Sequence, residues 1–329
     1  MGLAAQGSRT GIGAGGGRIP IAAPRGRIAG AWRGLRKTRA LQLMILPGLA
    51  YYVVFHYLPM YGVVIAFKDF KPLLGILGSP WIGFTNFVRF FEHPYFLRLM
   101  RNTFLLSFYN LLFGFPAPIV LALMLSEVRS GAYRRFVQTV SYLPHFISMV
   151  ALVSILTLLL SPETGFINIL LKAIPGVRPI YFMAEPRWFR TLYVASDVWQ
   201  NAGWGAIIYL AALSQVDVQL YDAAIVDGAS RLRRIWHISL PTIMPTIVIL
   251  LILQIGTLFA VGFEKVILMY NPVTFETGDV IGSYVYRRGL QYAEFGYGAA
   301  VGLFNSVTNV ILLVSANWLA RRITEESLW

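Results

Sequence analysis

The chain reads as an all-α integral membrane protein with six transmembrane helices, and three observations lead there. It is 57% hydrophobic and only 13% charged, well below the roughly 25% charge of ordinary soluble domains. Six charge-poor stretches are each long enough to cross a bilayer, which takes about 20 residues. Eight basic residues and no acid crowd the first 39 positions (Arg9, Arg18, Arg25, Arg27, Arg33, Arg36, Lys37, Arg39), directly before the first apolar stretch.

The six stretches are 40–67, 102–126, 136–162, 191–216, 235–263 and 295–320, the fourth containing Asp197. Several exceed the minimum, so their ends are expected to continue as interfacial or cytoplasmic helix. Helix is the form lipid permits, because each backbone group must be bonded within its own segment. None of the stretches alternates as a barrel strand does.

Residues 1–39 form a basic arm, and its Gly-, Ala- and Arg-rich first part has no hydrophobic periodicity, so disorder is expected. The run from Gly11 to Gly17 satisfies the spacing G-x-G-x-x-G. Without a preceding strand and a following helix it is a flexible tail and not a nucleotide site. The net charge of +13 has an RNA-binding reading, but a basic arm beside an apolar stretch marks a cytoplasm-retained terminus. Nucleic acid is therefore not an expected partner. The first hydrophobic stretch begins too deep for a cleavable signal peptide. With no Cys, disulfides, Cys-ligated zinc and a thiol nucleophile are excluded.

Orientation follows from Lys and Arg counts. With the N-terminus inside, segments 1–39, 127–135, 217–234 and 321–329 hold 8, 3, 3 and 2 basic residues, and outer loops 68–101, 163–190 and 264–294 hold 5, 4 and 3. Both termini are thus expected in the cytoplasm. The organisation is an arm (1–39), a first transmembrane helix with an outer interfacial loop (40–101), five further helices (102–320) interrupted by an inner loop at 217–240, and a cytoplasmic tail (321–329). Residues 81–91 are expected to lie at the interface as a helix with Phe84, Phe87, Phe90 and Phe91 on one side, ended by His93-Pro94.

The inner loop carries the most information. Asp217 or Ser214 caps a helix bearing Asp222, Ala223 and Ala224, which stops at Gly228 in the left-handed turn glycine permits. Asp227 precedes that turn and Ser230 follows it. A short basic amphipathic helix comes next, with Leu232, Ile235 and Trp236 on one side and Arg231, Arg233 and Arg234 elsewhere; Leu240-Pro241 opens the next span. Two readings fit this shape: a helix–turn–helix inserted into a groove on a partner, and an amphipathic loop resting on headgroups.

The loop resembles that of binding-protein-dependent ABC importer permeases, whose signature is E-A-A, three residues, G, nine residues, I-x-L-P. Asp222-Ala223-Ala224, Gly228 and Ile238-x-Leu240-Pro241 fall at those spacings, with Asp keeping the charge of the usual Glu on a shorter stem. Tyr57-Leu58-Pro59-Met60-Tyr61-Gly62, Ser141-Tyr142-Leu143-Pro144-His145-Phe146, Gly203-Trp204-Gly205 and the ending Glu326-Ser327-Leu328-Trp329 carry a narrower likeness. They are similar to the polysaccharide or aldouronate-type branch of the maltose-permease superfamily. The resemblance implies the permease fold with a cytoplasmic coupling helix and a bacterial cytoplasmic-membrane location. It also implies a second homologous permease, an ABC ATPase dimer carrying ATP and Mg, and an extracytoplasmic solute-binding protein that delivers oligosaccharide. On it, Asp222, Ala223, Ala224, Asp227, Gly228, Ser230, Arg231, Arg234, Leu240 and Pro241 are the expected ATPase-coupling residues.

No G-x-x-x-x-G-K-[ST] occurs, so the chain has no Walker A loop to cradle nucleotide phosphates. It is expected to be a transport subunit and not an enzyme, with no cofactor of its own. Polar groups inside spans are pathway candidates because hydrocarbon penalises them. The fourth span offers Asp197, Gln200 and Asn201 beside Trp199 and Trp204, with Trp199 turned partly away; Gln254 lies in the fifth, and Asn305 and Asn309 in the sixth. Planar amides beside aromatic faces suit a carbohydrate. Hydrogen bonding between helices is the other reading of the same residues, and Asp197, near the outer end, has water within reach as a third. The four His (His56, His93, His145, His237) show no metal spacing; His145, after Pro144, either marks a bend or packs on another helix.

The competing functional classes are a stand-alone secondary transporter or channel, which calls for charged relays or paired broken helices, and an intramembrane enzyme, for which no catalytic constellation exists. Basic outer loops suit an acidic oligosaccharide such as a uronate, and they equally suit the membrane surface beside them, where positive loops are common.

Overall fold

The computed structural model describes residues 39–323. The arm expected over 1–39 and the tail over 321–329, including Glu326 to Trp329, therefore lie almost wholly outside the described residues. Among these residues every regular element is helical, apart from one isolated antiparallel bridge between Lys68 and Trp81. The chain divides into two compact units, Met1–Tyr61 and Gly62–Trp329.

Helix α1 (Gln42–Phe67, 26 residues) is long and apolar enough to span, and Leu43, Leu46, Phe55 and Leu58 stand exposed on it. The interfacial helix is shorter than expected. Gly83 takes φ +58°, which keeps the chain from helix, so α2 runs only Thr85–Phe91. Trp81 instead stacks on Phe67 with ring centroids 5.7 Å apart.

Helix α3 (Phe96–Ser126, 31 residues) starts before the apolar stretch, with Arg98 and Arg101 in its first turns. A widened turn over Asn110–Gly114 precedes Pro116. Proline supplies no amide to the ladder, and a local i→i+5 turn re-registers the bonds around the gap. The same device, Ile235–Ser239, stands before Pro241.

The third expected span, 136–162, is not one helix. Helix α4 (Gly131–Tyr142) runs through a tight turn at Leu143–Phe146, Ile147 is extended, and α5 (Met149–Leu159) restarts at an angle of 101°. Pro144 opens the turn, and Ser148 caps α5 by accepting from the Ala151 amide at 3.2 Å. His145 both sits in this bend and packs on another helix. Beyond it, α6 (Phe166–Lys172) is organised by the fully buried Asn168, which bonds the Leu160, Ser161 and Ile180 carbonyls and the Ile180 amide.

Helix α7 (Pro186–Leu213, 28 residues) is long enough to span. Asp197, Gln200 and Asn201 make it less apolar than the four helices that are both long and apolar enough to span, α1, α3, α9 and α12. Helix α8 (Val218–Val226) is followed by α9 (Arg231–Gly256, 26 residues). The basic segment is therefore the first turn of α9 and not a separate helix, and Pro241 lies inside that helix and does not open it. Its missing bond is absorbed by the widened turn just before it. Past α9 come α10 (Phe263–Met269), α11 (281–291) and α12 (Phe295–Ile323).

Helix α7 holds the core together. Phe189, Tyr193 and Val194 pack with Leu106, Val153 and Val266, while Ala206, Tyr209 and Leu213 pack with Ile119, Ala122 and Ile243. Two glycines set how close its neighbours come. A Cβ on Gly203 would sit 1.9 Å from the Ser141 carbonyl oxygen at the end of α4, and one on Gly205 would sit 3.0 Å from Pro118 of α3. Trp204, between them, projects along the bend. A third cluster joins α2, α3, α11 and α12 through Phe90, Leu99, Tyr284, Tyr297 and Val301.

Candidate functional site

Between α3, α7 and α9 lies a cavity of about 490 Å³ lined by Asn110, Asp197, Asn201, Ile208, Gln254 and Thr257 among others. Of the polar span residues named from sequence, Asn201 and Gln254 line it, together with Asp197. Gln200 does not: it is 5% exposed, and its amide nitrogen donates to the Ile147 carbonyl at 2.8 Å, bracing the α4–α5 bend from α7. Its Oε1 is buried with no partner.

Asn201 sits in the middle of a polar chain. Its Nδ2 donates to Asp197 Oδ1 (3.2 Å), and its Oδ1 lies 3.1 Å from His145 Nδ1. The His145 ring stacks on Trp204 at 4.6 Å and 3°, and Phe146 meets Trp204 edge-on. Trp204 and Trp199 are about half exposed, and neither borders the 490 Å³ cavity. Asn309 accepts from the Phe259 amide at 2.9 Å, tying α12 to the end of α9; Asn305 Oδ1 is buried without a partner. The candidates thus divide into a cavity pair (Asn201, Gln254), a stacked aromatic beside the bend (Trp204), and braces between elements (Gln200, Asn309).

Asp197 does more than reach water. Lys265, 1% exposed, donates to the Tyr193 carbonyl at 2.9 Å, places Nζ 3.6 Å from Asp197 Oδ1 and lies over the Tyr193 ring. Lys265 is absent from the sequence-derived set. The available signal was charge balance: a lone acid in a span asks for a cation, and Lys265 stands just past the fifth apolar stretch. A second anchor also went unread. Buried Asp279 accepts two bonds from Arg287 (3.2 and 2.6 Å) and one from Ser283 (2.8 Å), while Asn102 bonds the Asp279 and Glu276 carbonyls. This fastens the loop after α10 to the start of α3.

At the other end of α7, Asp217 is the cap of α8, accepting from the Gln219 amide at 2.9 Å. Gly228 has φ +73°; its amide bonds Ile225 O (3.0 Å), and the Ala229 amide bonds Ala224 O (2.8 Å). This paired pattern closes a helix end with a left-handed residue. Ser230 then caps α9 by accepting from the Arg233 amide at 3.4 Å. Two contacts fix the turn to the bundle: Arg234 to Glu127 at 2.9 Å, both largely buried, and Tyr221 Oη to Ser239 Oγ at 2.7 Å. Pro241 and Leu240 lie past the turn in α9. Asp222, Ala223, Asp227 and Arg231 are exposed and Ala224 half-buried. Ile225, Val226, Leu232 and Trp236 are exposed beside them, Val226 at 87%. Among the described residues no group of three or more His, Cys, Asp or Glu is placed to hold a metal.

Residues 114–325 match the family described as binding-protein-dependent transport system inner membrane component. Among relatives, Protein LplB of Bacillus subtilis is 46% identical over 90% of this chain and 92% of its own length. The polygalacturonan/rhamnogalacturonan transport system permease protein YteP of the same organism is 47% identical over the same shares. A solved chain of a bacterial ABC transporter involved in the import of the acidic polysaccharide alginate superposes with TM-score 0.83 at 44% identity, covering 89% of this chain and 99% of that one. The same kind of transporter has been solved in complex with an alginate pentasaccharide-bound periplasmic protein, at 43% identity and TM-score 0.83 over 90% of this chain and 99% of that one.

Proposed function

The chain belongs to the family of binding-protein-dependent transport system inner membrane components, and on that premise we propose that it forms half of an import pathway for an acidic, uronate-containing oligosaccharide. The other half is a second, homologous permease. An extracytoplasmic solute-binding protein delivers the sugar, and an ABC ATPase dimer carrying ATP and Mg drives the cycle from the cytoplasm. In this reading both termini are cytoplasmic, and loop 217–240 couples to the ATPase.

The observation that carries the coupling role is the Gly228 turn. It projects Asp222, Ala223, Ile225, Val226 and Leu232 outward, while Arg234–Glu127 and Tyr221–Ser239 tie its base to the bundle. An exposed apolar surface on a rigidly held loop fits a partner groove better than headgroups, where the polar Asp222 and Asp227 beside it would face anionic lipid. The pathway reading rests on the cavity bordered by Asn110, Asp197, Asn201 and Gln254, whose amides suit sugar hydroxyls. A stand-alone transporter has less support, because the acid in the fourth span is already paired with Lys265 and so is not a free relay.

The test is co-expression with the neighbouring ATPase and binding-protein genes. Affinity purification of this chain should retain the ATPase, and sugar-loaded binding protein should stimulate ATP hydrolysis in proteoliposomes. A chain that purifies alone and moves sugar without ATP refutes the assignment. Reporter fusions after Arg39 and at Trp329 should both give cytoplasmic signals; opposite signals would overturn the topology.

A further inference from the structure

A second cleft, of about 640 Å³, lies between α3 and the end of α7 remote from loop 217–240. It is lined by Tyr109, Phe113, Arg187, Arg190, Thr191, Val194, Ala195 and Val198. We propose that this cleft is a vestibule that binds the carboxylate of an acidic sugar residue on its way to the inner cavity, with Arg190 as the principal cation and Arg187 as the second. The proposal rests on the acidic-oligosaccharide reading above and adds to it a place and a residue.

Four observations carry it. First, among the described residues no carboxylate lies within ion-pair distance of Arg190. Its Nη2 donates to the Asn102 side-chain oxygen at 2.9 Å, and its Nε is buried with no acceptor. Arg101 and Glu276 both act on it only through space, with opposite sign. A half-buried guanidinium with no carboxylate on it and a buried Nε left without an acceptor is electrostatically incomplete, and an incoming carboxylate completes it, since the planar fork matches carboxylate geometry.

Second, Arg190 is held in position. Asn102, which receives it, is fully buried and donates to the Glu276 and Asp279 carbonyls. The fork is therefore oriented before any ligand arrives, which lowers the cost of binding. Arg187, by contrast, is exposed and loosely paired with Glu185 at 3.4 Å, an interaction of small worth; it is free to exchange that partner for a ligand.

Third, the remaining lining fits a sugar. Tyr109 and Phe113 offer ring faces and Thr191 a hydroxyl, and aromatic faces beside planar donors are the ordinary means of holding a pyranose. Fourth, the cleft adjoins the pathway. Val198 borders both spaces; Tyr109 and Phe113 line the outer one, and Asn110 and Gly114, their neighbours on α3, line the inner one. Seven residues, two helical turns, separate 190 from 197, so Arg190 and Asp197 fall on one stripe of α7. A sugar chain following the α3–α7 groove meets Arg190 before the Asp197–Asn201 pair.

The chain contains no cysteine, so within it an introduced one reports on the cleft, and the unsubstituted complex is the blank for the other subunits. Ala195 lines it and is exposed. In the full transporter complex, with each rate divided by that reagent's rate with a small free thiol, Ala195→Cys should favour an anionic methanethiosulfonate over a cationic one about five-fold or more, as a nearby unpaired cation in a low-dielectric cleft dictates. Trigalacturonate should slow the labelling, and a neutral trisaccharide should not. Arg190→Gln should remove most of both effects, leaving the weaker share of Arg187, and Arg190→Lys should keep the charge preference. Equal normalised rates for the two reagents, a preference undiminished by Arg190→Gln, or no labelling at all (a cleft sealed by another subunit or lipid) each overturn the vestibule. Should Arg190→Gln fail to assemble, trigalacturonate protection against the neutral trisaccharide decides by itself. If the wild-type complex imports no trigalacturonate while the anion preference stands, the substrate reading falls and the anion site remains.

Discussion

His145 and Trp204 lie ring on ring, 4.6 Å apart and 3° from parallel, so the turn between α4 and α5 is clasped to the middle of α7. His145 also meets Asn201 at 3.1 Å, which links the stack to the wall of the 490 Å³ cavity. A change in the angle of the bend therefore has a direct mechanical route to a residue facing the cavity.

Trp204→Ala removes the stacking partner from a position 44% exposed. Truncating a fully buried aromatic costs roughly 3–5 kcal/mol, and the loss here should be at the low end or below. Uptake and sugar-linked ATP turnover should fall while assembly with the ATPase persists, because the Gly228 turn is untouched. Both are to be measured on one preparation; a parallel loss of assembly assigns Trp204 to packing, and unchanged uptake removes it from the pathway altogether.

Gly203→Ala tests the approach of α4 to α7. The added methyl would fall 1.9 Å from the Ser141 oxygen and 2.4 Å from its carbonyl carbon. Both are backbone atoms, so the helices must part. Overpacking of this kind costs about 1–3 kcal/mol or more, and thermal unfolding in detergent should show a clear drop. Gly302→Ala, which meets nothing within 4 Å, is the control and should unfold like the parent.

Gly228→Val should leave the protein in the membrane and uncouple it. No atom lies within 4 Å of a Cβ there, but φ is +73°, a region where an L side chain costs about 1–2 kcal/mol. The turn relaxes and α8 is re-aimed. Gly228→Asn, which tolerates that conformation, should retain most sugar-stimulated ATPase activity. Full activity in the valine variant would show that the turn's geometry does not matter.

The pair Arg234–Glu127 is 13% and 15% exposed. Removing one partner of a buried pair strands the other, at a cost of about 3–5 kcal/mol, whereas replacing both with apolar residues is often near neutral. Arg234→Met and Glu127→Leu should each lower thermal stability, and the double variant should recover much of it. Additive losses in this cycle would mean that the two side chains act separately.

Five of the six apolar stretches were legible because hydrocarbon imposes a simple rule on composition: α1, α3, α7, α9 and α12 lie where charge is scarce. The third stretch obeyed the same rule yet is broken, since apolarity constrains where a segment sits and not its direction. Pro144 hinted at a bend, but the turn is completed by Gln200, over fifty positions away. The inner loop was legible for a different reason: its turn is made by local backbone bonds around Gly228, which one glycine announces. The site was read less well. Amides in the fourth span looked equivalent in sequence, and only packing separates Gln200, turned toward Ile147, from Asn201, turned toward the cavity. Lys265 and Arg190 were counted as loop cations because their partners, Asp197 and Asn102, come from other helices.

The bonds that close the Gly228 turn run entirely between main-chain atoms, from Gly228 to Ile225 and from Ala229 to Ala224. The exposed side chains at 222, 223, 225, 226 and 232 take no part in them. On the proposed coupling role, the shape of the loop and its address are thus written in different atoms. Evolution is free to vary the address while the shape persists, and transplanting those five side chains from another permease should redirect this one to that permease's ATPase without refolding the loop.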